Sequence, residues 1–469
     1  MNIQFKNIFR IGSLMTAAAL VFGLSACEDE PDKYEIAGGT PEVIYIRTPG
    51  NADSLITEAY TGTRIVLVGN NLRSVTQMYF NEYEAVLNTS LITDHTLFVS
   101  VPSGVSENPT DLIYMINNSG DTTTYDFTVL IPAPVLSSVS REFVKGGDEV
   151  TITGNYLLSY DESPMVITMP DGTEVTEFED IEQANVTFIV PDNCTEGGNF
   201  SVTTKYGTTT SSKCRFYFSA EEIAEEGGLL FDFDGITGLS NHGWHARDII
   251  SDEYSIDGYY VQLGTGSATM DDSTWDDTYF SFEYWPGDWT DPVTYPEGSG
   301  DRLYDIVDFS DWANMALKFE LYVPSEYPWS AGAMQIIMAG TEYVSYGYTG
   351  LDVYGNTVAG CNNEYISDEE LLDDEENEIY DFASDPCPRA MYRPWASETN
   401  GTFDTDDEWI TVTVPFSTFI YAYDGSTASR SLTEDQFASL VMFVCGGGVS
   451  GTECTPILRI DNIRAVPYE

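Results

Sequence analysis

Two stretches of this chain, TRIVLVGNNL (63–72) and DEVTITGNYL (148–157), carry one pattern at a spacing of about ninety residues. Each is an alternating apolar run closed by Gly-Asn and a leucine two positions later. Period-two alternation is the signature of a half-buried strand, and Val, Ile and Thr suit a pleated surface. The Gly-Asn pair predicts a tight turn in which positive φ costs little. The runs around the two stretches follow the same order. PEVIYI, TQMYFNEYEAVL, HTLFVSVP, DLIYMINNSG and YDFTVLIP surround the first; SPMVITMPDG, ANVTFIVP, FSVTTKYG and CRFYFS follow the second. Helical periodicity is almost absent, so the expected class is all-β, beginning with two tandem sandwich-sized domains at 41–131 and 132–219.

The endings GNNL (69–72) and GNYL (154–157) resemble the G-x-N-[FYL] hallmark of immunoglobulin-like IPT/TIG domains, the second with Tyr156 in place of the Asn. Neither repeat contains a tryptophan, and the expected role is that of a spacer, with Pro132, Ala133 and Pro134 as a stiff joint. The segment AEEIAEEGG (220–228) interrupts the strands and reads as a linker. From 229 to 469 the runs MALKFELYVP, MQIIMAG, WITVTVPFSTF, SLVMFVC and ILRIDNIRAVP predict one larger, jelly-roll-like β-sandwich with long loops. The acidic run ISDEELLDDEENEIYD (366–381) is too charged for a core and is expected to be a solvated helix or loop.

At the N-terminus, Lys6 and Arg10 precede an apolar run from Ile11 to Leu24, too short for a membrane span and built like an export signal. Leu24-Ser25-Ala26-Cys27 resembles the lipobox of bacterial lipoproteins, which implies cleavage after residue 26 and acylation of Cys27 as an outer-membrane lipid anchor. Residues 27–40 form an acidic tether, and Glu28, Asp29 and Glu30 resemble the signal that sends lipoproteins of Bacteroidota to the cell surface. The chain holds 19 Lys+Arg against 76 Asp+Glu, a net charge of -57; loss of Lys6 and Arg10 with the signal gives 17 minus 76, or -59. Phosphate-rich partners are repelled, which disfavours nucleic acid and anionic lipid as ligands of the folded part. Six cysteines follow Cys27: 194, 214, 361, 387, 445 and 454. Pairing of sequence neighbours is the simplest of 15 arithmetical connectivities.

All eight tryptophans lie beyond residue 243. Trp312 and Trp409 open apolar strands and read as core. Trp285 and Trp289 flank Pro286-Gly287 in FEYWPGDW, Trp329 lies in SEYPWSAGA, and Trp395 with Tyr392 in MYRPWAS. These turn contexts place the rings on loops, where they either fold back as a satellite core or stay exposed as a contact surface, and the exposed reading is the one carried forward. An exposed ring on an anionic protein suits a neutral sugar, because the apolar face of a pyranose packs on an indole while its hydroxyls bond at the ring's edge.

The order of lipobox, two IPT-like repeats and a sandwich containing PWSAGAMQI, MYRPW, DEWITVTVPFSTF and LRIDNIRAVP resembles the surface glycan-binding proteins of Bacteroidota polysaccharide-utilization systems. The resemblance implies non-catalytic capture of a polysaccharide, xyloglucan or another β-glucan, through a short aromatic platform. It also implies a TonB-dependent transporter and a companion lipoprotein as partners. It carries Trp329, Tyr392 and Trp395 over as glycan contacts, whereas Trp285 and Trp289 rest on the physical argument. Two alternatives stand beside it: a glycoside hydrolase, which needs only two carboxylates at a suitable distance, and a protein-binding adhesin. No Gly-x-Ser-x-Gly elbow is present, and His242 and His245 alone do not make a zinc site. No cofactor is expected beyond a structural calcium for which Asp232, Asp234 and Asp461 are candidate ligands.

Overall fold

The glycine of each Gly-Asn pair is required by a close backbone approach. In the computed structural model a Cβ on Gly69 would meet the Glu42 carbonyl oxygen at 1.8 Å, and one on Gly154 would meet that of Val135 at 2.0 Å. The cause is the same in both repeats. The register of Glu42–Arg47 on Arg64–Asn70 shifts between Val43 and Tyr45, and that of Val135–Val139 on Glu149–Asn155 between Leu136 and Ser138. The irregularity crowds the partner strand, where only glycine fits. The positive φ expected of the Gly-Asn pair falls instead two residues beyond the glycine, on Asn71 (57°) and Tyr156 (59°).

The structure describes residues 36–243, 245, 247–286, 302–340, 370–372, 378–381, 387–446 and 451–468. The chain divides into one unit ending at Pro132 and another beginning at Ala133. In the first, the sheet Leu55–Ile56, Glu42–Arg47, Arg64–Asn70, Thr96–Ser100 and the sheet Tyr83–Glu84, Val75–Phe80, Leu112–Asn117, Thr122–Asp126 enclose a core that includes Ile65, Leu67, Met78, Phe80 and Met115. In the second unit, the second repeat has the same plan: Val135–Val139, Glu149–Asn155, Asn185–Ile189, Asp180–Ile181 in one sheet and Glu174–Val175, Val166–Thr168, Ser201–Thr204, Gly207–Thr210 in the other.

The C-terminal sandwich completes the second unit. One sheet runs Ile249–Ile250, Tyr260–Leu263, Leu458–Pro467, Met315–Tyr322, Ile410–Pro415, with Leu229–Phe231 also on Leu458–Pro467. The other runs Ser281–Tyr284, Ser439–Cys445, Ala333–Ala339, Arg389–Tyr392. Its central strands are buried on both faces, so their outer face is covered as well as their inner one.

Segment 220–228 begins with a helix, Ala220–Glu225, whose Ile223 is fully buried with Phe143, Tyr217, Tyr260, Tyr322 and Trp409. The acidic run, expected as a helix or loop, contains a pair of antiparallel strands instead, Glu370–Leu372 on Glu378–Asp381. Cys194 and Cys214 carry free thiols in the core of the second repeat, and burial pushes Cys214 up to about 12. Cys445 and Cys454 are likewise unbridged, so two of the three neighbour pairings are absent, and Cys361 lies outside the described residues.

The second repeat and the sandwich share a buried ion network. Glu142 accepts from Lys318 Nζ at 2.5 Å and from Arg464 Nη2 at 2.8 Å, and Arg464 Nη1 pairs with Glu320 at 2.9 Å. The Glu142 backbone N–H donates to Thr411 Oγ1 at 2.6 Å, which in turn donates to Glu320 at 2.7 Å. Two acids balance two bases with almost no exposure. Removing one partner from such a group strands a charge in the interior at a cost of about 3–5 kcal/mol. Glu142→Ala is therefore expected to lower unfolding stability by that order in urea titration. It should also open the 219–228 segment to limited proteolysis, with the first repeat unaffected.

Candidate functional site

The register of the second sheet of the C-terminal sandwich sorts its residues into two faces. Ser281, Phe443, Gln335 and Met391 stand in one cross-strand row, and Glu283, Val441, Ile337 and Arg389 in another on the same face. The intervening rows point inward. Tyr284 and Phe282 each meet Phe231 of the opposite sheet at 5.2 Å, and Tyr392 meets Phe319 at 6.4 Å. The inner face is wholly apolar and aromatic. The outer face carries Ser281, Glu283, Gln335 and Arg389, all fully buried or nearly so.

These polar groups are matched to one another and to the loops above them. Arg389 Nη1 donates to Gln335 Oε1 at 2.8 Å, and Gln335 Nε2 to the Tyr423 carbonyl at 2.9 Å. Ser281 Oγ donates to Glu283 Oε1 at 3.0 Å, and the Glu283 N–H to Asn241 Oδ1 at 3.2 Å. Arg247 donates to the carbonyls of Asp277, Thr278 and Ser281, bracing the short helix Asp277–Phe280 against the strand that follows it. A buried, satisfied polar network is rigid, because each lost bond would leave an unpaired group. On this floor lies Trp275, its ring edge-on to Phe443 at 4.6 Å and 5.6 Å from Tyr423. Trp275 is 40% exposed, and Tyr423 is half-buried beside it. Sequence reasoning passed over Trp275; the available signal was a tryptophan in DDSTWDDTYF, where no apolar periodicity gives it a core to join.

The exposure expected of the turn-context rings is not found. Trp329 is completely buried, bridged to Phe403 by paired 2.8 Å backbone bonds, and its indole N–H donates to the Ala331 carbonyl at 2.6 Å. Trp395, 5% exposed in the turn Pro394–Ala396, donates to the Gly332 carbonyl at 2.9 Å. Trp285 is 1% exposed, with its backbone N–H on the His242 carbonyl. Tyr392 stands on the inner face, 6.0 Å from Trp329, and burial raises its hydroxyl pKa. Trp289 lies outside the described residues. The physical reason is that a turn can fold back. A tryptophan gains from burying its large ring wherever its N–H reaches a carbonyl, and the Pro-flanked turns at Trp329 and Trp395 supply both. Trp329→Ala is therefore expected to cost about 3–5 kcal/mol of stability in denaturant unfolding, so that loss of folding precedes any change in ligand affinity.

His242 Nδ1 lies 2.6 Å from the Trp285 carbonyl and His245 Nε2 pairs with Asp277 at 3.2 Å, so the two histidines hold loops. Among the described residues no three His, Cys, Asp or Glu side chains converge as a metal site.

Comparison with known proteins bears on the same domain. The surface glycan-binding protein B xyloglucan-binding domain matches residues 223–467, and the IPT/TIG domain matches residues 134–218. The crystal structure of a surface glycan-binding protein from Prevotella bryantii is similar at 41% identity over 92% of this chain and 100% of its own, with a TM-score of 0.68. An IPT/TIG domain-containing protein of Bacteroides ovatus is 28% identical over 209 residues, and the match spans 41% of that relative's length. The chain belongs to the surface glycan-binding protein B family, an all-β architecture of IPT/TIG-like and larger sandwich domains.

Proposed function

We propose that this protein is a non-catalytic, lipid-anchored receptor that captures a neutral polysaccharide at the cell surface, with xyloglucan or a related β-glucan as the favoured ligand. Membership of a xyloglucan-binding family across 223–467 carries the reading of ligand class. The ring pair Trp275 and Tyr423, standing on a rigid polar floor, supports a contact point within it. A flat ring held in place loses little entropy on binding, and the net charge of -57 disfavours polyanions while leaving neutral polymers free to approach. Trp289 is retained as a second candidate ring on its sequence context. Trp285, Trp329, Trp395 and Tyr392 act in this proposal as the packed support of the surface, not as sugar contacts.

Cys27 is the proposed acylation site, which would hold the chain on the outer membrane with the acidic tether beyond it. A TonB-dependent transporter and a companion lipoprotein are the proposed recipients of the captured glycan; the resemblance in domain order supports this.

The test is affinity electrophoresis of the full chain through gels containing xyloglucan, mixed-linkage glucan, galactomannan, xylan or starch. Retardation is expected in a β-glucan gel. Trp275→Ala should fold normally and weaken retention by about 5- to 30-fold, the worth of one stacked ring. Undiminished retention in both Trp275→Ala and Trp289→Ala would remove the proposed contact surface. Release of reducing sugar from the bound polymer would replace the binding-only reading with a hydrolase.

A further inference from the structure

The first sheet of the sandwich turns its outer face to the second repeat, and the two enclose a cleft of about 360 Å³. Tyr322 and Arg459 are cross-strand neighbours on that face, the same face as Lys318 and Glu320. Arg459 is buried, and neither its Nε nor its Nη1 has a hydrogen-bond partner. Unpaired N–H groups on a buried guanidinium are costly. What offsets the cost is aromatic: the guanidinium carbon lies 4.0 Å from the ring centroid of Tyr254 and 4.8 Å from that of Tyr322. A desolvated cation is drawn to a ring's face more strongly than an exposed one. Tyr322 is buried, but Tyr254 is 42% exposed and lines the cleft. A buried cation thus fixes a ring that stays open to solvent.

The turn that carries this ring is pinned as well. Asp252 accepts from the Tyr254 backbone N–H at 2.9 Å and from the Tyr260 hydroxyl at 3.1 Å, and the Trp409 indole N–H donates to the Tyr254 carbonyl at 2.8 Å. The two walls are tied across the cleft. Arg141 of the second repeat pairs with Glu408 of the sandwich at 2.5 Å, and Lys145 donates to the Ile256 carbonyl. The bases that line the cleft are thereby engaged, which leaves the Tyr254 ring and the exposed carboxylates of Glu253 and Asp407 to meet a ligand.

We propose that this cleft is a second glycan-binding site, in which Tyr254 stacks on one pyranose ring of a neutral β-glucan while Glu253 and Asp407 accept from its hydroxyls. The inference rests on the ligand class proposed above. A concave site at a domain junction, with a fixed ring and a few polar groups, is a usual setting for a small ligand. Carboxylates at the ring's edge accept hydroxyl donors strongly and repel an acidic sugar. Trp275 stands on the outer face of the other sheet, so the sandwich separates the two rings. A short oligosaccharide reaches only one of them, and both act together only on a polymer.

The full chain is titrated calorimetrically with xyloglucan and mixed-linkage glucan oligosaccharides and run through gels of the two polymers. Two oligosaccharides per chain are expected. Tyr254→Ala should leave one and weaken retention by the polymer about 5- to 30-fold, and Tyr254→Phe, which keeps the ring, should bind as the parent does. Trp275→Ala should likewise leave one, and the double variant none. Should Tyr254→Ala unfold, Glu253→Ala at its exposed position probes the same cleft, with an expected loss of about 2- to 10-fold at that site. One oligosaccharide per chain, lost in Trp275→Ala and unchanged in Tyr254→Ala or Glu253→Ala, would overturn the second site and leave glycan capture standing. No binding of either glycan by the parent chain would overturn the ligand class and this site with it.

Discussion

The buried carboxylate of Glu142 is the interaction on which the second unit depends. It comes from the IPT/TIG-like repeat, yet its partners Lys318 and Arg464 belong to the two central strands of the C-terminal sandwich. Burying four charges is expensive, and the arrangement holds only because every charge meets an opposite one in low dielectric. Burial alone opposes charging Arg464, but Glu320 and Glu142 outweigh it and raise its pKa. The repeat is thus tied to the sandwich through buried charge, and loss of either half would strand charges in the other.

The same accounting bears on ligand choice. The chain has only 19 lysines and arginines against 76 acids, and several of the bases lie inside: Lys318, Arg389, Arg459 and Arg464 are all buried. Among the described residues the buried bases are matched by buried acids, Glu142, Asp232, Glu283, Glu320 and Asp461, so the solvent-facing surface stays about as anionic as the totals indicate. A strongly negative surface repels polyanions over about a Debye length while leaving neutral polymers free to approach, so affinity for a neutral chain must come from ring stacking and hydrogen bonds at short range.

Much of the fold was legible because alternation is a local signal. The strands Arg64–Asn70, Glu149–Asn155 and Ile410–Pro415 fall within the runs that predict them. The reason for Gly69 and Gly154 was not legible, since it depends on how a partner strand approaches from across a sheet. Nor was the outer face of Ser281–Tyr284 and Ala333–Ala339. Glu283 and Gln335 alternate with apolar residues as solvent-facing groups do, and only the covering loops convert them into a buried floor. The tryptophans show the same limit. The Pro-Trp contexts at Trp329 and Trp395 correctly mark turns, but whether a turn's ring faces water depends on the hollow beneath it, and sequence does not display hollows.

The division of the rings follows from that geometry. Trp329 packs on Tyr392, and Trp329 and Trp395 join the sandwich core with each indole N–H on a nearby backbone carbonyl. They make the sandwich end stiff, which is a condition for a surface ring to act as an anchor. Trp275 stands on Phe443, the middle of a strand paired on both sides, so its backing is the most constrained part of the sheet. A ring held in this way has already lost most of its rotational freedom before a sugar arrives. Internal aromatics thus contribute to recognition by fixing the geometry of the few that remain outside.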